Sequence, residues 1–232
     1  KEREEMVSAL RLVMEEAGLS WPEDWSRAWT CIKGVWASKW NQRAYLSRRA
    51  RKIPHEDLFM AVLIQEVVEA EYSFVIHTVN PVTGDRGEIL AEVVPGLGET
   101  LVGNDPGRAF SFTCRKGRDA PRVFAFPSKS SGLFGRGLIF RSDSNGEDLA
   151  GFAGAGLYET VMLQRPRRVC LNYAEELLLR DDGFQQEFLA TVARLGTVVE
   201  QALGSAQDIE GAYAGGTYWV VQTRPQVGME DG

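Results

Sequence analysis

IFRSDSNGEDLAGFAGAGLYET, residues 139–160, is a short apolar run that ends in Arg141, enters a Ser/Asn/Gly segment and becomes a glycine-alternating loop. Far downstream, QDIEG (207–211) and VVQTRP (220–225) carry two carboxylates, a glutamine and an arginine on two neighbouring candidate strands. A guanidinium, sterically open backbone amides and oxygen donors for a cation are the groups a triphosphate requires. Three such elements in one chain point to a nucleotide-binding domain.

Working outward, the apolar spacing sets the elements. Val7, Leu10, Val13, Met14 and Ala17 recur at helical intervals and Gly18 supplies a stop. A second helix is expected from near Pro22, with Trp25, Trp29, Ile32, Trp36 and Trp40 on one face packed against a core. From Leu58 the period changes: LFMAVLIQEVV, YSFVIHTV and EILAEVV read as three strands of a meander, with NPVTGDRG a dense turn between the last two. AFSFTCR, RVFAFP and GLIFRS read as further strands. Phe184, Phe188, Val192, Leu195, Val199 and Leu203 line one face of a helix closed by Gly204. Runs of strands with helices at the ends predict an α+β fold. The expected division is a helical segment over 1–55 and a nucleotide-binding domain over 56–232.

Composition narrows the function. In 232 residues, 44% hydrophobic content with 25% charge is ordinary for a globular protein with a sizeable core. A net charge of −6 argues against a general nucleic-acid partner, which is usually gripped by excess Lys and Arg. No apolar run approaches the roughly 20 residues of a membrane helix. The start KEREEMVSAL has no signal-peptide pattern and no initiating Met, so the chain reads as a fragment of a longer protein. Cys31, Cys114 and Cys170 fit no zinc or CxxC spacing and are expected as free thiols, buried or partly so.

In the C-terminal hairpin, period-2 alternation puts Asp208 with Glu210 on one face, and Gln222 with Arg224 on one face. A three-residue turn, Ala214–Gly216, would set Asp208 opposite Gln222 with Glu210 diagonal to it, whereas a two-residue turn would separate the two sets. One carboxylate and one amide oxygen suit Mg²⁺, which completes its shell from phosphate and water. GFAGAG is neither the dinucleotide fingerprint nor a Walker A loop. His77 and His55 are the only histidines, and His77, inside a strand, is expected to be simply hydrogen-bonded.

The blocks RSDSNGEDLAGFAGAGLYE, GSAQDIEG, YWVVQTRPQV, GVWASKWNQRAYLSRR, VLIQEVV and GLGETLVG resemble the C-terminal nucleotide-binding domain of the alpha-glucan, water dikinases. More broadly they resemble the ATP-grasp domain of pyruvate phosphate dikinase and phosphoenolpyruvate synthase. The resemblance runs from about residue 32 to residue 226. It implies an ATP-grasp-like α+β domain of antiparallel or mixed sheets with flanking helices, incomplete here, with ATP between two lobes.

It also implies roles. Gln65, Glu66 and Val67 match the hinge that holds adenine and ribose. Arg141 with Gly154, Ala155 and Gly156 match the phosphate cradle, Arg224 the phosphate-binding arginine, and Glu210 with Gln222 the Mg²⁺ ligands, supported by Asp208. The implied reaction passes the ATP β-phosphate to an enzyme histidine and then to a glucosyl unit of starch, and the γ-phosphate to water. The phosphohistidine belongs to an upstream domain of the family, so His77 does not inherit that role. The implied location is the chloroplast stroma at the starch granule. Two further readings are the same domain serving another acceptor such as pyruvate, and a nucleotide-binding module without transfer chemistry.

Overall fold

Every strand expected above forms, and short strands and turns join them. The computed structural model describes residues 2–103, 106–149, 152, 153 and 156–226. In chain order the elements are α1 (Glu2–Glu16), α2 (Trp25–Ala37), α3 (Gln42–Ala50), β1 (Met60–Val67), β2 (Tyr72–His77), β3 (Glu88–Pro95) and α4 (Glu99–Val102). Then follow β4 (Phe110–Arg115), β5 (Arg122–Ala125), β6 (Ser131–Phe134), β7 (Gly137–Ser144), β8 (Asp148–Leu149), β9 (Phe152–Ala153), β10 (Val161–Met162) and β11 (Arg167–Cys170). The chain closes with α5 (Leu177–Arg180), α6 (Asp182–Leu203), β12 (Gln207–Ala214) and β13 (Thr217–Pro225). Among the described residues, no helix is long and apolar enough to cross a membrane.

These elements form two interleaved units: Lys1–Val67 with Gly137–Arg165, and Val68–Arg136 with Pro166–Gly232. In the first, β1, β7 and β10 make a three-stranded antiparallel sheet in the order β1-β7-β10. Helix α2 covers one side of it. Ala28, Cys31, Ile32 and Val35 are buried against Leu138, Phe140 and Leu163, with Met60, Val62, Ile64 and Val161 partly buried around them. The Asp24 carboxylate accepts from the Arg27 amide at 2.9 Å, so the helix starts at Trp25 rather than at Pro22.

The tryptophans do not form the centre of that face. Trp21, Trp25 and Trp29 stack along its border, with centroids 4.4 Å and 6.0 Å apart, while Trp36 and Trp40 are exposed. Smaller side chains take the contact line because they let the helix approach the sheet. Among the described side chains of α1, only Met14 is buried and Val13 is exposed, so the expected stripe is narrower than its spacing suggests.

The second unit holds a six-stranded antiparallel sheet, order β13-β12-β2-β3-β4-β5, with α6 packed on one side. Phe188, Leu189, Val192 and Ala193 of α6 meet Phe74, Ile76, Ile89, Ala91, Val93, Phe112 and Ile209 from the sheet. Asp181 caps the start of α6 by accepting from the Phe184 amide at 2.9 Å, and Gly204 ends it in the left-handed conformation, φ 73°. Of the expected three-strand meander, β2 and β3 do pair, and β4 and β5 continue the ladder, but β1 pairs with β7 instead. β1 buries Met60, Val62 and Ile64 on α2 while Ala61 and Leu63 remain exposed, the pattern of a strand covered on one face. Its continuous apolar lettering hid that asymmetry. Cys31 and Cys114 are buried free thiols, and burial raises both above the ordinary thiol range; Cys170 is instead exposed, on the two-stranded β6–β11 ribbon.

One partly buried carboxyl gives a stability prediction. Tyr72 Oη donates to Glu176 Oε2 at 3.1 Å and accepts from the Leu178 amide at 3.3 Å. Burial raises the Glu176 carboxyl above its usual range, only partly opposed by the Tyr72 bond. A raised folded value means that Glu176 favours the folded state most below its unfolded titration range, and that this contribution is lost as pH rises through the folded value. Glu176→Gln is therefore expected to match or exceed the parent stability at pH 7. Its advantage should shrink toward pH 4, read from denaturant midpoints at both pH values.

Candidate nucleotide and metal site

The hairpin of β12 and β13 turns through two residues, not three. Ala214 pairs with Thr217, and Gly215 and Gly216 take φ 55° and 81°, both in the left-handed region that two-residue hairpin turns use. That turn alone would put Glu210 and Gln222 on opposite faces. A β-bulge corrects it: Gly211 pairs with Val220, then Glu210 pairs with Gln222, leaving Val221 as the extra residue. Glu210 thus lies directly opposite Gln222 and Asp208 directly opposite Arg224. The expected Asp208–Gln222 pairing is replaced by a tighter one, and all four side chains share one face.

That face is the one turned away from α6. Ile209 and Ile76, on the alternate positions, are fully buried in the helix-covered core. On the next strand His77 pairs with Asp208, and His77 Nδ1 lies 2.7 Å from Asp208 Oδ1. Arg224 Nε is 3.8 Å from the other oxygen, Oδ2. The expected hydrogen-bonded His77 is found, and its partner is a residue of the candidate site. Among the described residues, no group of three or more His, Cys, Asp or Glu side chains gathers to hold a metal. The oxygen donors side by side are Glu210 and Gln222, with Asp208 already engaged on both oxygens.

The first unit carries the other candidates. Arg141 pairs with Leu63 and Gln65 with Ile139, so Arg141 and Gln65 are diagonal neighbours on the sheet face not covered by α2. Glu66, one residue on, points the opposite way and is exposed; Val67 closes the strand opposite Gly137. The polar residues after Arg141 act as fasteners. Asn145 accepts from the Phe59 amide at 2.9 Å and donates to the Asp57 carbonyl at 2.8 Å, and Ser144 Oγ donates to the Phe59 carbonyl at 2.9 Å.

Gly154 and Ala155 lie outside the described residues; Gly156 is described, with φ 70°. Arg43 was missed by the sequence reading: its Nη1 lies 3.9 Å from where a Cβ on Gly156 would stand. The same helix start secures the segment, since Asn41 Nδ2 donates to Glu159 Oε1 at 2.8 Å. A cation in SKWNQRAY, far from the loop in sequence, gives no local signal of this.

Residues 4–110 match the model of the pyruvate phosphate dikinase AMP/ATP-binding domain. Alpha-glucan water dikinase, chloroplastic, of Citrus reticulata is 54% identical over 230 residues, 96% of this chain. Over residues 4–110 the chain is similar to the pyruvate phosphate dikinase AMP/ATP-binding domain, and over nearly its whole length to the alpha-glucan water dikinases. Alpha-glucan water dikinase 2 of Arabidopsis thaliana is 48% identical over 97% of the chain, and phosphoenolpyruvate synthase of Pyrococcus furiosus 28% identical over 84%. The chain spans 16% of the length of the Citrus protein, 18% of the Arabidopsis one and 21% of the Pyrococcus one. The hairpin and the glycine loop both lie beyond residue 110, outside the span that the domain model matches.

Proposed function

We propose that this chain is the ATP-binding part of an alpha-glucan, water dikinase. The observation that carries the reading is the single polar face on which the bulge gathers Glu210, Gln222, Asp208 and Arg224, in a chain 54% identical to a protein of that name. Glu210 and Gln222 would hold Mg²⁺, because hard oxygen donors in pairs suit a cation that keeps water and phosphate in its shell. Bound there, the ion would neutralise phosphate charge. Arg224 binds phosphate oxygens, held in line by Asp208.

In the first unit, Arg141 and Gly156 would receive phosphate, with Arg43 a second guanidinium near Gly156, and the Gln65–Val67 strand end would bind the nucleoside. Phosphoryl transfer is mostly positioning and charge neutralisation, which is what this set of side chains supplies. The phosphorylated histidine, the glucan contact and the water that takes the γ-phosphate belong to other parts of a longer protein, located in the chloroplast. The lower identity to phosphoenolpyruvate synthase, 28%, favours the glucan acceptor over pyruvate.

Calorimetric titration of ATP into the chain, with and without Mg²⁺, tests the nucleotide reading. Binding should require Mg²⁺ and weaken about tenfold or more in Arg141→Ala, the scale of one lost charge-assisted hydrogen bond. A folded chain that ignores ATP would defeat it. In the longer protein, label from the ATP β-phosphate should appear on glucan and not on pyruvate; the reverse would assign the other acceptor.

A further inference from the structure

We infer that His77 is a positioning residue for the phosphate-binding arm, acting through Asp208 on Arg224; this rests on the proposed ATP site. The three residues lie side by side on β2, β12 and β13, at registered positions of consecutive strands. Asp208 Oδ1 accepts from His77 Nδ1–H at 2.7 Å, and Oδ2 faces Arg224 Nε at 3.8 Å. With both oxygens engaged, the carboxylate has one orientation, and so does the guanidinium beside it. Asp208 then serves to aim Arg224 rather than to bind metal, which leaves the cation to Glu210 and Gln222.

The scaffold holds His77 firmly enough for this task. Thr78, next in the chain and fully buried, accepts from the Gln207 amide at 2.8 Å and donates to Glu200 Oε1 at 3.1 Å. Gln226, just past β13, binds the Val79 amide and carbonyl through its side chain at 3.1 Å and 2.8 Å. Ile76 and Ile209, flanking the pair, are sealed under α6. The ends of all three strands are therefore tied together next to the triad. His77 itself retains 27% side-chain exposure, so its replacement leaves the core intact.

The test is Mg²⁺–ATP binding by the whole chain in the parent, His77→Ala and His77→Asn, together with an Mg²⁺ titration at fixed ATP. His77→Ala should weaken ATP about five- to tenfold while leaving the Mg²⁺ midpoint in place, because one aligned charge-assisted bond is lost and the metal donors remain. His77→Asn, which restores a donor near Nδ1, should return ATP affinity to within about twofold of the parent. Circular dichroism and thermal midpoints report folding. Unchanged affinity in a folded His77→Ala chain overturns the inference. So does a shift of the Mg²⁺ midpoint matching that of Glu210→Ala, since His77 would then act on the metal. Absence of Mg²⁺-dependent ATP binding in the parent overturns the proposed function and this inference with it.

Discussion

Glu210→Ala should reduce Mg²⁺-dependent ATP affinity about 100-fold, in keeping with roughly 3 kcal/mol for removing a charged donor from a polar cluster. Glu210 directly faces Gln222 across the hairpin, on the sheet side away from α6, so its side chain is absent from the apolar core. The fold should therefore survive, with a thermal midpoint near that of the parent. Glu210→Gln keeps size and one oxygen but loses the charge, and should recover part of the affinity at high Mg²⁺. Calorimetry at two Mg²⁺ concentrations separates these outcomes. An alanine variant that binds as the parent does would remove Glu210 from the site.

Gly211→Ala should be the most destabilising small substitution near the site. An added Cβ would lie 2.1 Å from Cε2 of Phe74, 2.4 Å from its Cζ, and 2.8 Å from the Trp219 carbonyl oxygen. Phe74 is 1% exposed and packs edge-on against Phe188, so it has no empty space to enter. Overpacking of this kind costs about 3 kcal/mol. For a domain of this size that is a fall of roughly 10 °C in thermal midpoint. The shift would also disturb the bulge that aligns Glu210 with Gln222, so ATP binding should weaken even below the new midpoint. A midpoint within 2 °C of the parent, roughly the scale of a neutral surface change, would show that the β12–β2 packing yields more than its contacts indicate.

Much of this was legible in the sequence, and what was not has identifiable causes. The period of α6 was readable because Phe188 and Val192 recur against a sheet, and the period-2 alternation of 208/210 and 222/224 was fixed by strand geometry. The turn length was not. Gly215 and Gly216 announce positive φ, but nothing in AGG says whether Ala214 belongs to the turn or to the ladder. Nor was the bulge, because Val220 and Val221 are equally good strand residues and only the register reveals which one is extra. The partner of β1 also escaped, since its pairing with β7 depends on residues beyond five intervening strands. Arg43 beside Gly156 is the same kind of miss: a contact made by folding and not by spacing.

The interleaving of the two units bears on how the chain can be made. As synthesis proceeds, β1 emerges long before β7, and β2 long before β12, so each sheet waits with an open edge for a strand from a later part of the chain. Neither can be completed by a nascent chain that stops at Arg136, and cutting the protein at any single point between Val67 and Pro166 separates strands that belong together. Contacts this distant in sequence make for slow closure. A nascent chain of this kind is expected to depend on protection of its apolar strands until the last hairpin has been synthesised.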